Sequence, residues 1–122
     1  MKRQYIEQLK KGITELALLY LIGEVPTYGY NIIKELEKRT TGYFKVKGGT
    51  IYPALQRLEM KRLVKSRYQQ ITERQGRRYY QITERGQQFL AERLAEWKDF
   101  SAVVSALMGM SSREEVIPPN VA

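Results

Sequence analysis

The 122-residue sequence predicts a mostly helical α+β fold, with three closely spaced helices, a β-hairpin and one long final helix. Three observations carry that prediction. Apolar residues recur at steps of three and four in separate segments, two alternating runs flank a polar loop late in the chain, and Gly, Pro and Thr punctuate the boundaries.

The first helix is read from Leu9, Ile13, Leu16, Ala17 and Tyr20, with Leu18, Leu19, Leu21 and Ile22 filling its other sides. A helix apolar on nearly every face must be covered on nearly every face, which in a chain this small suggests a second subunit. Gly23 is expected to end it, and Pro26 to keep the chain from resuming at once. Thr27 reads as the N-cap of a second helix, Tyr28 to about Arg39, with a core stripe of Ile32, Ile33 and Leu36. Thr40-Thr41-Gly42 stops it. The segment Tyr43 to Lys47 alternates weakly, and Gly48-Gly49 reads as a turn. No Lys-Ser or Lys-Thr follows that pair at phosphate-loop spacing.

A third helix is expected from about Thr50 to Arg62, where Ile51, Ala54, Leu55 and Leu58 form an i, i+3, i+4, i+7 stripe. Pro53 falls in its first turn, where a missing N–H costs nothing. Val64 to Tyr68 and Arg78 to Thr83 read as strands around a hairpin loop from Gln69 to Gly76. Thr83 then caps a long helix with two apolar stripes. One is Leu90, Leu94, Trp97, Ser101, Val104 and Met108, at coiled-coil spacing; the other is Phe89, Phe100, Val103, Leu107 and Met110. One stripe serves the chain's own core and leaves the other for a partner. Helix, helix, helix and hairpin in this order make a winged helix-turn-helix. The expected organisation is a winged domain over residues 1–83, a dimerisation helix over 84–110 and a disordered tail over 111–122.

Composition narrows the function. The chain has no cysteine and no histidine, so disulfides, thiolate nucleophiles, zinc–sulfur sites and the commonest general base are excluded. No cofactor fingerprint appears, and Glu92, Glu96 and Asp99 read as the solvated face of the last helix. An enzyme is therefore not expected, nor is a cofactor or a metal. No apolar run follows Met1-Lys2-Arg3, and the longest apolar stretch, Leu16 to Ile22, is too short to span a bilayer. A cytoplasmic, nucleoid-associated protein is expected.

The net charge is +8, and all of that excess lies between Lys45 and Arg85, with eleven basic and three acidic residues. This basic third holds the third helix and the hairpin, and it reads as a polyanion-binding face. Opposite the core stripe of the third helix lie Tyr52, Pro53, Gln56 and Arg57, with Gly49 and Thr50 at its N-terminal end. Arginine pairs bidentately with guanine and glutamine with adenine in the major groove, and a helix N-terminus at Thr50 suits phosphate. Arg74, Arg77 and Arg78 lie at or after the hairpin tip, of which Arg77 and Arg78 are the better candidates for phosphate or minor-groove contact.

Gly49-Thr50-Ile51-Tyr52-Pro53-Ala54-Leu55-Gln56-Arg57-Leu58-Glu59 resembles the recognition-helix signature of PadR-type bacterial transcriptional regulators. Tyr28-Gly29-Tyr30 and the run from Arg77 to Gly86 match the same family, and the likeness extends over about Leu9 to Met110. Its length resembles the subfamily with a single long C-terminal helix. The resemblance implies a homodimeric repressor of promoter DNA released by a small effector. Thr50, Tyr52, Pro53, Gln56 and Arg57 would then lie in the major groove, Tyr28 would touch phosphate, and Arg77 and Arg78 would serve the wing. The first and last helices would form the dimer interface. In small multidrug-responsive members of the family, a tryptophan placed like Trp97 stacks on flat aromatic ligands between subunits. Leu94, Trp97 and Ser101 are thus candidates for an effector site, or simply for an interface anchored by a buried tryptophan. The alternative function is a dimeric small-molecule-binding or protein-interaction module without specific DNA binding. One departure stands out: the family often has glycine shortly after the third helix, where this chain has Arg62. Arginine disfavours a left-handed cap, so a different helix exit is expected.

Overall fold

Seven elements follow one another in the computed structural model, which describes residues 4–110. They are α1 (Gln4–Glu24), β1 (Thr27–Tyr28), α2 (Gly29–Arg39), α3 (Gly48–Met60), β2 (Val64–Gln70), β3 (Gly76–Ile82) and α4 (Glu84–Leu107). The mostly helical α+β fold, with its hairpin and its long last helix, is the one the sequence predicts. The tail expected over residues 111–122 lies outside the described residues. The chain divides into two compact units, Met1–Leu90 and Ala91–Ala122, so the division falls within α4. Among the described residues, no helix is long and apolar enough to cross a membrane.

The core of the first unit is built on α1, but not on the stripe that the spacing singles out. Leu18, Leu19, Leu21 and Ile22 are buried, whereas Leu9 and Tyr20 are about half exposed, at 53% and 45%. Ile13 and Ala17 pack at the edge of the cluster. The C-terminal half of α1 points its most apolar residues at α2, α3 and the sheet. Gly23 does not end the helix, which runs on to Glu24. The space beside its Cα is taken by Leu90 and Ile82, whose side-chain carbons lie 3.3 and 3.4 Å from where a Cβ would stand.

Thr27 is not an N-cap. It begins a two-residue strand that pairs antiparallel with β3, Thr27 opposite Tyr80 and Tyr28 opposite Tyr79. The third strand completes a sheet of order β1-β3-β2. Thr27 is buried, and its Oγ1 accepts a 2.9 Å hydrogen bond from Asn31 Nδ2. Tyr28 takes the extended N-cap position of α2, without a side-chain cap. Ile32 and Leu36 are buried on the inner face of α2. The helix ends where Thr41 and Gly42 adopt positive φ, 48° and 86°.

Gly48 and Gly49 are the first turn of α3, not a turn before it. Both the Thr50 and Ile51 amides donate to the Lys47 carbonyl, at 2.9 and 3.0 Å. Ile51, Ala54, Leu55 and Leu58 are all 0–1% exposed, as their spacing predicts. Burying each of the larger ones stabilises the fold by about 1.5–3 kcal/mol.

The exit from α3 overturns the expectation drawn from Arg62. Arg62 does adopt the left-handed conformation, with φ 63°. Its amide donates to Glu59 O at 2.9 Å, and that of Leu63 reaches back to Leu58 O at 3.0 Å. These two bonds make a Schellman motif closed by the apolar pair Leu58–Leu63, both buried. Burial of Leu63 thus overrides the preference of the arginine backbone. An Arg62→Gly variant should be more stable by about 1 kcal/mol, because glycine bears no penalty for the left-handed region. Urea denaturation at fixed protein concentration measures this, and a loss of stability would show that the arginine side chain contributes more than its backbone costs.

β2 and β3 pair antiparallel from Val64–Ile82 to Gln70–Gly76, longer strands around a shorter turn than the sequence suggests. Tyr80 is buried, and Tyr79, on the other face, is half-buried. Thr83 alone separates β3 from α4. Its Oγ1 accepts from the Gly86 amide at 2.9 Å, and its one proton is shared between the carbonyls of Arg62 (2.8 Å) and Leu63 (3.0 Å). Thr83 is thus the N-cap that the sequence predicts, and it also fastens α4 to the end of α3.

Candidate nucleic-acid interface

Of the exposed positions on α3, Gly49, Pro53, Gln56 and Met60 lie directly opposite the buried stripe, at steps of four and three. Thr50, Arg57 and, just past the end of the helix, Lys61 form one flank, and Tyr52 and Glu59 the other. The sequence reading groups Tyr52, Pro53, Gln56 and Arg57 on a single face. The fold separates them: Pro53 and Gln56 project outward, Arg57 turns toward α1, and Tyr52 toward α2 and the hairpin. The helix begins two residues before Thr50, so its free first amides are those of Gly48 and Gly49.

Tyr52 is held by the absence of side chains around it. A Cβ on Gly29 would lie 2.4 Å from the Tyr52 ring, and one on Gly48 3.1 Å from it. This explains the glycine between Tyr28 and Tyr30, which in the sequence stands out only as part of a motif. With the ring seated there, a cleft of about 640 Å³ opens between the start of α2 and the hairpin. It is lined by Tyr28, Tyr30, Tyr52, Arg77, Arg78 and Tyr80, among others. Four of the eight residues singled out for DNA contact, Tyr28, Tyr52, Arg77 and Arg78, therefore share one cavity.

The two arginines are fixed differently. The Arg77 guanidinium lies 4.2 Å from the centroid of the Tyr28 ring, which itself packs edge-on against Tyr79 at 5.3 Å. The Tyr79 side chain also hydrogen-bonds the Arg77 guanidinium, and a cation stacked on an aromatic face can present its remaining N–H groups to an anion. Arg78 donates to Ser66 Oγ at 3.1 Å, and Ser66 donates to Glu59 Oε2 at 2.8 Å, a relay that ties the hairpin to α3. Arg74 sits in the exposed turn between the strands.

On the opposite flank, Glu15 of α1 receives Arg57 Nε at 2.6 Å and Lys61 Nζ at 3.2 Å, one on each carboxylate oxygen. Partial burial pushes the Glu15 carboxyl up, but the hydrogen bonds and charges of Arg57 and Lys61 outweigh it, and its pKa lies below the ordinary 4.5. The stabilisation linked to this pair is therefore present above that ordinary value and is lost as pH falls through the lowered one. Sequence reasoning missed Glu15 entirely, since 42 positions separate it from Arg57.

In the second unit, Trp97 is 46% exposed, and Leu94 and Ser101 are half-buried. Phe100, Val103, Leu107 and Met108 are between 64% and 79% exposed, and they leave α4 with an uncovered apolar side.

Comparison with known proteins identifies the family of the chain. Residues 18–92 match the model described as the transcriptional regulator PadR-like family. A protein of Lysinibacillus sphaericus is 34% identical over 98 residues, covering 80% of this chain and 90% of the relative. The crystal structure of a PadR-like transcriptional regulator from Bacillus cereus superposes with a TM-score of 0.72 at 33% identity, over 83% of this chain and 96% of that one. The Bacillus subtilis PadR structure, in complex with operator DNA, shares the fold with a TM-score of 0.63 at 23% identity, over 67% of this chain and 47% of its own.

Proposed function

Because the chain belongs to the PadR-like family of transcriptional regulators, we propose that it binds double-stranded operator DNA as a homodimer and represses transcription until a small effector releases it. The observation that carries this reading is the cleft beside α3. It gathers Tyr28, Tyr52, Arg77 and Arg78 next to the outward row of Gly49, Pro53, Gln56 and Met60. In this arrangement α3 enters the major groove, with Thr50 near its entering end and Gln56 reading a base edge, preferentially adenine. Arg77 and Tyr28 take a phosphate, and Arg78 follows the same strand from the hairpin. A cleft of tyrosine hydroxyls and arginine forks offers donors to a phosphodiester, and the basic third of the chain supplies the long-range attraction. The Bacillus subtilis relative, solved with its operator, supports the same use of this fold.

Two copies related by a two-fold axis would read a pseudo-palindrome with half-sites one helical turn apart, about 34–36 Å. Repeated selection from a random duplex pool tests this directly: enrichment of such a site is expected, and an unenriched pool removes the reading. On the selected site, Arg77→Ala should weaken binding several-fold on cognate and random DNA alike. The slope of log affinity against log salt should fall by about 0.9, as expected when one phosphate fewer is neutralised. A weakening confined to the cognate site would assign Arg77 to base reading instead. Trp97, half exposed on α4, supports an effector site formed with Leu94 and Ser101 once two copies meet. Planar aromatic compounds that quench its fluorescence should also displace the selected DNA.

A further inference from the structure

Arg57 is the one arginine on α3, and its surroundings assign a role to a residue of a different helix. Glu15 binds it through Nε alone, at 2.6 Å, while Lys61 holds the other carboxylate oxygen at 3.2 Å. The carboxylate is thereby engaged at both oxygens, which restrains it against following the arginine. Bonding at Nε leaves the two terminal nitrogens of the guanidinium as a fork pointing away from Glu15, and the Arg57 side chain is 54% exposed. Guanine O6 and N7 are matched by such a fork. An arginine restrained by such a contact gives up less side-chain entropy on pairing than a free one.

We propose that Glu15 is a positioning residue for DNA recognition, holding Arg57 by Nε so that its terminal N–H pair is presented to a guanine at the edge of the half-site. The inference rests on the DNA-binding reading above and adds a base preference and its source. It also gives α1 a part in sequence choice, although α1 itself stays out of the groove. Removing the carboxylate charge takes away a repulsion toward phosphate as well as an orienting partner. The two roles therefore predict opposite signs on specific binding.

The test is Glu15→Gln, which keeps the shape and a weaker acceptor, alone and in an Arg57→Ala background. Each variant is titrated with the selected operator and with random duplex at several salt concentrations. The expected result is a 5–10-fold fall in the operator-to-random affinity ratio for Glu15→Gln, with random-duplex affinity unchanged or slightly raised. No further fall is expected once Arg57 is alanine, and Glu15→Asp should restore part of the ratio. Affinity that rises equally on both duplexes, with a steeper salt dependence, would show that Glu15 only screens the two cations and would overturn the proposal. So would a fall in ratio that persists undiminished without Arg57. A wild-type chain with no sequence preference removes the DNA-binding reading itself, a result distinct from either of these.

Discussion

Gly86→Ala is expected to destabilise the protein by about 3 kcal/mol, although the same exchange in an open helix stabilises by about 1. Gly86 is buried in the first turn of α4. A Cβ there would stand 2.0 Å from the Leu63 carbonyl oxygen and 2.8 Å from Ile82 Cγ1. The nearer atom belongs to the backbone, so no rotamer change relieves the overlap. That carbonyl is also held by the Thr83 amide at 3.0 Å and by the Thr83 hydroxyl at 3.0 Å. Accommodating the methyl would break both bonds and pull Leu63 out of the core. Gly49→Ala is the matched control, because nothing lies within 4 Å of its Cβ position. It should be neutral or slightly stabilising. Denaturation of both variants at one protomer concentration decides the matter; Gly86→Ala within about 0.5 kcal/mol of the parent would mean that α4 starts with a looser joint than its geometry implies.

The second large effect is on assembly. Phe100, Val103 and Leu107 lie at steps of three and four on α4 and are 64%, 66% and 79% exposed. In a monomer, Phe100→Asp changes a surface residue and should alter stability by no more than about 0.5 kcal/mol. If two copies pack this row together, the same change buries two unpaired carboxylates and removes two aromatic rings, each worth about 1.5–3 kcal/mol of burial. Sedimentation should then show a dimer for the parent and a monomer for Phe100→Asp. Operator affinity should fall by about 100-fold or more, because linked half-sites gain effective concentration that separate protomers lack. A variant that still sediments as a dimer would place the interface elsewhere, with the paired stripe through Leu94, Trp97 and Ser101 the next to probe.

What the sequence could reveal follows from the range of the forces involved. The α3 stripe was legible because Ile51, Ala54, Leu55 and Leu58 obey a local period, and Thr83 because a cap bonds within its own turn. β1 was not legible: two residues carry no period, and Thr27 and Tyr28 are a strand only because β3 lies beside them. Gly48-Gly49 misled, since glycine is a local breaker, yet here the pair opens α3 with Gly48 close against the Tyr52 ring. Arg62 misled in the opposite sense, because the burial of Leu63 outweighs the backbone preference of the residue before it. The α1 reading followed periodicity where neighbours decide, so Leu9 and Tyr20 were given a role that Leu18 and Ile22 fill. In the candidate site, residue types pointed to Tyr52, Arg77 and Arg78 and the family resemblance to Tyr28, and the fold supplied their meeting place. The Glu15–Arg57 pair had no local signal at all.

The single-residue joint at Thr83 also bears on which length changes the chain can accept. The turn over residues 71–75 is exposed, and residues added there would extend a hairpin tip into solvent. One residue added between Ile82 and Glu84 would instead turn the first turns of α4 by about 100° about the helix axis, the angle of one helical step. It would also carry the Thr83 hydroxyl off the carbonyls of Arg62 and Leu63. Drift in length is thus channelled to the tip of the wing, and the join of β3, the end of α3 and the first turn of α4 is kept by a threonine with no slack on either side.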